Sequence, residues 1–510
     1  MSDAQLFAGD RALTAAARNE RAARAATALA SLDVGAGDAV ALLLRNDIAF
    51  IEASQGSGML GAYPVPINWH FRGEEVAYIL ADCTPKALVV HADLLPGVAN
   101  ALPGDLPVII VATPPEIATA YGIAPDRCAV PPDRLDWDAW IESFPPAAPS
   151  SAPAPAAVIY TSGTTGKPKG VKWAPLPAEA VDAAAAAGKR MLGYGPDAHS
   201  MILGPMYHSA PNAYCREMLA AGATVWLAPK FDAEELLRAI ERDRLSHLLM
   251  VPTMFARLLQ LPEETRARYD VSSLRNVVHA AAPCPPEIKR AMIDWWGEII
   301  AEFYGSTEIG TITYCTAEEW LAHPGTVGRP LPEAVVKIFD DEGHELPSGE
   351  VGDIYAKSAI HPEFEYHNLP GKNEESGHHG LHTAGDIGYL DADGFLFLSD
   401  RRADVIISGG VNIYPAEIEA CLMEMPGVGD CAVFGIPHEV FGEQVAAVIQ
   451  PTDGAELTED AVRDHSRRHL ARYKMPQHIA FAPDLPREDS GKIMKRKLRA
   501  SYWQDSGRSI

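Results

Sequence analysis

Residues 160–170 read YTSGTTGKPKG, so glycines, four Ser/Thr hydroxyls and two lysines share eleven positions. Glycine lets main-chain N–H groups approach a ligand that a Cβ would exclude, and the hydroxyls and Lys167 add donors and positive charge. A chain of phosphates is the natural guest, which makes Thr161, Ser162, Gly163, Thr164, Thr165, Gly166 and Lys167 candidate phosphate-binding residues. The rival is a Walker cradle, which needs a glycine five positions before the Gly-Lys pair and a Ser or Thr after the lysine. Here those positions hold Thr161 and Pro168, and proline offers neither an N–H nor a metal-binding hydroxyl. Taken alone, the stretch also fits an ordinary surface turn.

Such a loop needs rigid elements around it. Residues 13–32 carry Leu13, Ala16, Ala23, Ala26 and Ala30 near helical spacing, and the strand-like AVALLLRN, KALVVHA and PVIIVAT follow at helix-length intervals. That alternation predicts a parallel α/β sheet. A Pro/Ala/Ser linker at 145–157 leads into AAVIY and the phosphate-loop candidate. Beyond it SMILGPMYHSAP, ATVWLAP, SHLLMVP, LRNVVHAAAPC and EIIAEFYGSTE predict strands ending in loops, and open α/β sheets bind ligands at such ends. From about 334 the texture changes to short strands with turn signals, the pattern of a small β subdomain. From about 400 it changes again, with CAVFGIP, VAAVIQP and a helix near 459–472 predicting a separate α+β domain.

With 510 residues, 47% of them hydrophobic, the chain can bury several cores. A formal net charge of −25 argues against a nucleic-acid or anionic-membrane surface, because summed positive charge holds such partners. A polyanionic ligand must therefore meet a local basic site. Arg467, Arg468, Arg472, Lys474, Lys492, Lys495, Arg496, Lys497 and Arg499 supply one in the tail, although most such residues form solvated helix faces. Seven scattered cysteines without metal spacing fit a reducing cytoplasm. Neither an export signal nor a transmembrane segment is expected.

In order along the chain, YTSGTTGKPKG, YGSTE at 304–308, GD at 385–386, DRRADVIISGGVNIYPAEIE at 400–419 and PREDSGKI at 486–493 resemble one family, the adenylate-forming acyl-CoA synthetases. GDAVALLLRN, GAYPVPIN and VFGIPHEVFGEQVAAVIQP extend the resemblance over almost the whole chain. It implies an α/β fold with a large multi-sheet N-terminal domain, residues 1–399, that binds ATP and acid and includes a β subdomain at about 334–399. It also implies a small mobile α+β domain, residues 400–510, that rotates between half-reactions.

The same resemblance implies residue roles. Thr161 to Lys167 would hold the β- and γ-phosphates, and Glu308 would be the Mg²⁺ ligand, with Thr161 and Thr307 supplying nearby oxygens. Tyr304, with Gly305 and Ser306 beside it, would cover one face of the adenine, and the backbone of Ala281, Ala282 and Pro283 the other. Asp386 and Arg401 would hold the ribose. Lys492, selected by its SGK context, would stabilise charge on the α-phosphate and carboxylate. Ser408, Gly409 and Gly410 would line the route of the CoA thiol, while His208 and Tyr207 would stand at the acyl entrance. The sequence departs from the pattern at Ala384, where many relatives have Thr before Gly-Asp, and at Ala403, where many have an Asp or Lys hinge residue.

The expected activity is AMP-forming acid–CoA ligation, with ATP and CoA as co-substrates and Mg²⁺ as cofactor. The expected acid is apolar, whether fatty, branched or alicyclic. An aryl acid, a separate carrier protein in place of CoA, and a non-catalytic nucleotide-binding regulator are the alternatives. With 18 residues after Lys492, a fused carrier domain is not expected, and a homodimer, common in the family, is.

Overall fold

The computed structural model describes residues 4–148, 154–161, 168–174, 176, 178–369, 371–408, 411–438, 440–452, 454–487 and 493–503. The expected site residues 162–167, Gly409, Gly410 and Lys492 lie outside the described residues.

Strands Ala39–Leu43 and Ala87–His91 are buried at every position, because both faces of their sheet are covered. They sit in an all-parallel five-stranded sheet ordered Tyr63–Pro66, Ala39–Leu43, Ala87–His91, Val108–Val111, Leu135–Asp136. Helices Ala15–Ala30 and Ile48–Met59 pack closely beside it, and a Cβ on Gly56 would lie only 2.9 Å from that of Ala25. The helix expected over 13–32 begins later than the spacing predicts. Arg11–Thr14 forms a strand against Ala4–Ala8, and the Thr14 hydroxyl then caps the helix by accepting the N–H of Ala17.

A nine-stranded sheet lies at the centre. His199–Ile202, His247–Met250, Asn276–His279 and Ile300–Ser306 run parallel in that order, so their C-terminal ends open on one side. The loops leaving three of them carry 204–208, 280–283 and 307–309. Gly310–Cys315 turns back antiparallel to Ile300–Ser306. A small antiparallel sheet of Ile159–Thr161, Lys169–Trp173 and Phe364–Tyr366 holds the strands on either side of the phosphate-loop candidate, with Thr161 opposite Lys169.

Ala334–Phe339, Gly352–Ser358, Gly377–His378, Leu381–Leu390 and Leu396–Arg401 form an antiparallel sheet where the short-strand texture begins. The last sheet contains Ile406–Ser408, Val411–Ile413, Val428–His438, Gly442–Pro451 and His478–Phe481, with helices Pro415–Met423, Glu459–His469 and Lys495–Trp503. The helix expected near 459–472 thus ends at His469, and a short 3₁₀ turn, Arg472–Lys474, follows.

Candidate active site

Glu308 stands at the tip of the hairpin between Ile300–Ser306 and Gly310–Cys315. The Ser306 hydroxyl shapes that tip by accepting the N–H groups of Glu308 (3.2 Å) and Ile309 (3.1 Å), and buried Ile309 anchors it to the core beneath. The Glu308 Oε1 atom accepts from the hydroxyls of Thr161 and Tyr366, each at 3.4 Å. Thr161 and Glu308, expected to meet, are therefore together although 147 residues separate them. Thr307 points the other way, its hydroxyl 3.1 Å from that of Ser209 at the start of helix Ser209–Ala220.

A carboxylate flanked by hydroxyl oxygens is a hard donor set, suited to Mg²⁺. Among the described residues the hydrogen-bond partners of the Glu308 side chain are the Thr161 and Tyr366 hydroxyls. Lys169 lies close by with its ammonium 5.1 Å from the centre of the Tyr366 ring.

The second cluster is built on strand pairing. Tyr304, still within Ile300–Ser306, donates its hydroxyl to Asp386 Oδ2 at 2.6 Å. Asp386 lies opposite Arg401 across the ladder of Leu381–Leu390 and Leu396–Arg401, with Arg401 Nε 3.4 Å from Asp386 Oδ1. Burial, reinforced by the negative charge of Asp386, holds the Tyr304 phenol well above its ordinary range, so it remains a donor at physiological pH. Gly385 takes φ +78°, and its N–H is held by the Thr383 hydroxyl at 2.9 Å. Thr383, just before Ala384, spends its hydroxyl on the backbone of this turn.

Ala281 also has a positive φ, +74°, in the turn after Asn276–His279. An alanine held there is strained, a feature that concentrates at ligand sites. It begins the segment Ala281, Ala282, Pro283 expected beside the adenine.

Tyr207 is buried, with its ring 4.4 Å from that of His208 and edge-on to Trp69 at 6.3 Å. Two asparagines that the motif reading missed hold their loop. Asn46 donates to the Gly204 carbonyl (3.0 Å) and accepts the Met206 N–H (2.9 Å), while Asn212 donates to the Met206 carbonyl (2.8 Å). Ser408 belongs to the C-terminal sheet, paired with Val411 and Gly442. Ala403 lies in the 3₁₀ turn Arg402–Asp404 just after the Asp386–Arg401 ladder. Tyr366 had no signal beyond its aromatic type, and its partner lies 58 residues away.

Comparison with known proteins bears on this geometry. The family model for AMP-binding enzymes matches residues 2–360, and the model for the AMP-binding enzyme C-terminal domain matches residues 417–492. A long-chain-fatty-acid–CoA ligase of Mycobacterium tuberculosis is 33% identical over 490 residues, which cover 96% of this chain and 93% of that protein. A fatty acid–acyl-carrier-protein ligase of Streptomyces coeruleorubidus is 32% identical over 507 residues, 98% of this chain and 93% of that one. The crystal structure of an anthranilate CoA ligase in complex with anthranoyl-AMP superposes with a TM-score of 0.85 at 27% identity, covering 99% of this chain and 95% of its own. With matches over nearly its full length, the chain belongs to the adenylate-forming AMP-binding enzyme family.

Proposed function

We propose that this protein is an ATP-dependent acid–CoA ligase that activates an apolar carboxylic acid in two steps. The observation that carries the reading is the pairing of two neighbouring constellations on one hairpin, Thr161–Glu308 for phosphates and Tyr304–Asp386–Arg401 for a nucleoside. The acid's carboxylate attacks the α-phosphorus of ATP, releasing pyrophosphate and forming an acyl-adenylate. The CoA thiolate then attacks the acyl carbon, and AMP leaves.

Bringing a carboxylate to a polyphosphate opposes two anions. Their repulsion at 4 Å is about 1 kcal/mol in water and about 4 kcal/mol at an effective dielectric of 20. Mg²⁺ held by Glu308 with Thr161 would neutralise phosphate charge. The loop 161–167 would donate to the β- and γ-phosphates, and Lys492 to the α-phosphate and the incoming carboxylate. Tyr304 would cover one face of the adenine and Ala281–Pro283 the other, while Asp386 would accept from the ribose hydroxyls with Arg401 beside it. His208 and Tyr207 would orient the acid. For the second step we assign residues 400–510 to a rotating unit that brings Ser408, Gly409 and Gly410 to the thiol.

Similarity to a fatty-acid ligase supports an apolar acid. Similarity to an anthranilate ligase keeps an aryl acid as the second reading, and the acyl-carrier-protein ligase does the same for a protein thiol. None of the described helices is long and apolar enough to cross a membrane.

The test incubates purified protein with ATP, Mg²⁺ and fatty, alicyclic and aryl acids, with and without CoA, and detects AMP and thioester by mass spectrometry. AMP with acyl-CoA for an apolar acid is the expected result; adenylate without thioester would redirect the reading to a carrier protein. In the same assay Lys492→Ala should abolish adenylate formation and leave thioester formation from supplied acyl-adenylate nearly intact. Equal loss of both steps would remove Lys492 from adenylation.

A further inference from the structure

The carboxylate of Glu308 is braced from outside its own hairpin. Phe364–Tyr366 pairs antiparallel with Lys169–Trp173, Tyr366 opposite Val171, in the same sheet that fixes Thr161 opposite Lys169. The backbone of Tyr366 is therefore registered to the strands on either side of the phosphate-loop candidate. Its hydroxyl crosses to the central sheet and donates to the oxygen of Glu308 that Thr161 also meets.

The same segment grips the strand that leaves Glu308. His361 Nε2 accepts the Thr311 N–H at 3.2 Å. Gly310 adopts φ +75° against that imidazole, and a Cβ there would fall 2.3 Å from a ring carbon. The segment is itself tied down: His367 N–H donates to the Gly170 carbonyl (2.7 Å), Asn368 Nδ2 to Asp82 (2.6 Å) and Asn373 Nδ2 to Phe364 (2.9 Å).

We propose that residues 361–366 brace the metal-binding carboxylate and that Tyr366 is its positioning residue. This deepens the reading of Glu308 as the Mg²⁺ ligand and rests on it. A free carboxylate rotates about its last side-chain torsion. Two hydroxyl donors converging on Oε1, each at 3.4 Å, bias that torsion so that Oε2 is the oxygen turned toward a cation. Because Tyr366 shares one sheet with Thr161 and Lys169, the Glu308 carboxylate is tied to the same strands that carry those two residues. Tyr366 meets the Glu308 carboxylate through its hydroxyl and acts through it.

The test uses Mn²⁺ as a paramagnetic stand-in, titrated against the full-length protein with a non-hydrolysable ATP analogue and followed by the loss of the free-ion resonance signal. Wild type, Glu308→Gln, Tyr366→Phe and the double variant are compared. Removing one hydroxyl donor should weaken nucleotide-dependent Mn²⁺ binding about three- to tenfold, the scale of one net hydrogen bond. The double variant should bind no more weakly than Glu308→Gln alone. KM for the acid, and thioester formation from supplied acyl-adenylate, should not move.

Wild-type Mn²⁺ binding in Glu308→Gln would defeat the metal reading of Glu308, whatever Tyr366 does. Weakened binding in Glu308→Gln beside wild-type binding in Tyr366→Phe would overturn the brace alone. Parallel loss of both half-reactions in Tyr366→Phe, with a lowered melting temperature, would also overturn it by assigning Tyr366 to the fold.

Discussion

Tyr304 contributes two different things from one side chain: an aromatic face and a hydroxyl that is committed to Asp386. The hydroxyl fixes where the face lies, and it also orients the carboxylate that we assign to the ribose. Tyr304→Phe keeps the face and removes the tether. A hydrogen bond to a charged acceptor contributes about 1.5–3 kcal/mol, so KM for ATP should rise tenfold or more while KM for the acid stays constant. Steady-state kinetics with each substrate varied separately checks this, and an equal rise in both constants would count against a nucleoside site. The residues of this cluster were legible because each falls within a short motif whose order along the chain is distinctive. Tyr366 and His361 lie in a stretch, IHPEFEYHN, with no such signature. Their significance depends on contacts 58 and 50 residues away in sequence, which neither composition nor periodicity encodes.

Strand register does comparable work at the scale of elements. Pairing of Leu381–Leu390 with Leu396–Arg401 runs regularly from Leu390 opposite Leu396 to Gly388 opposite Leu398, then shifts by one residue at a bulge. Without that shift Asp386 would oppose Asp400, setting two carboxylates side by side; with it Asp386 meets Arg401. Asp386 and Arg401 were legible as motif residues, but the bulge that sets them opposite each other was not, because nothing in the strand sequences marks where the register shifts. The buried runs AVALL and ALVVH were readable, because continuous apolar strands need cover on both faces. What they position was not: Asn46, just after the first run, reaches backbone 158 and 160 residues away. Asn46→Ala would leave the Gly204 carbonyl and the Met206 N–H without that partner, a cost of about 1–3 kcal/mol for each group left unsatisfied. Because these groups seat the loop of Tyr207 and His208, KM for the acid should rise severalfold with nucleotide binding unchanged. Calorimetric titration with an ATP analogue, set against acid kinetics, separates the two effects.

Across the whole molecule, buried ionisable groups pull the pH dependence of stability in opposite directions. Burial, helped by the charge of Arg216, lowers the His361 imidazole to about 4, and burial lowers His279 and His247 as well, aided by Lys289 and Arg275 respectively. Burial instead raises the carboxyls of Glu217, Glu302 and Glu419. Each histidine binds its proton more readily in the unfolded chain, so each contribution is complete above pH 6.5 and is lost as pH falls toward the folded value. The raised carboxyls give the opposite slope, and the overall curve hides both. A difference measurement isolates one group. His361→Gln retains an acceptor for the Thr311 N–H but has no proton to take up, so its stability lacks the histidine's slope. Wild type should lose ground to this variant between pH 6.5 and 4, by a total on the order of 3 kcal/mol for a shift of this size. Urea unfolding of both proteins across that range measures the difference at each pH. Curves that stay parallel would mean that His361, packed beside Trp173 and Gly310, titrates alike in both states.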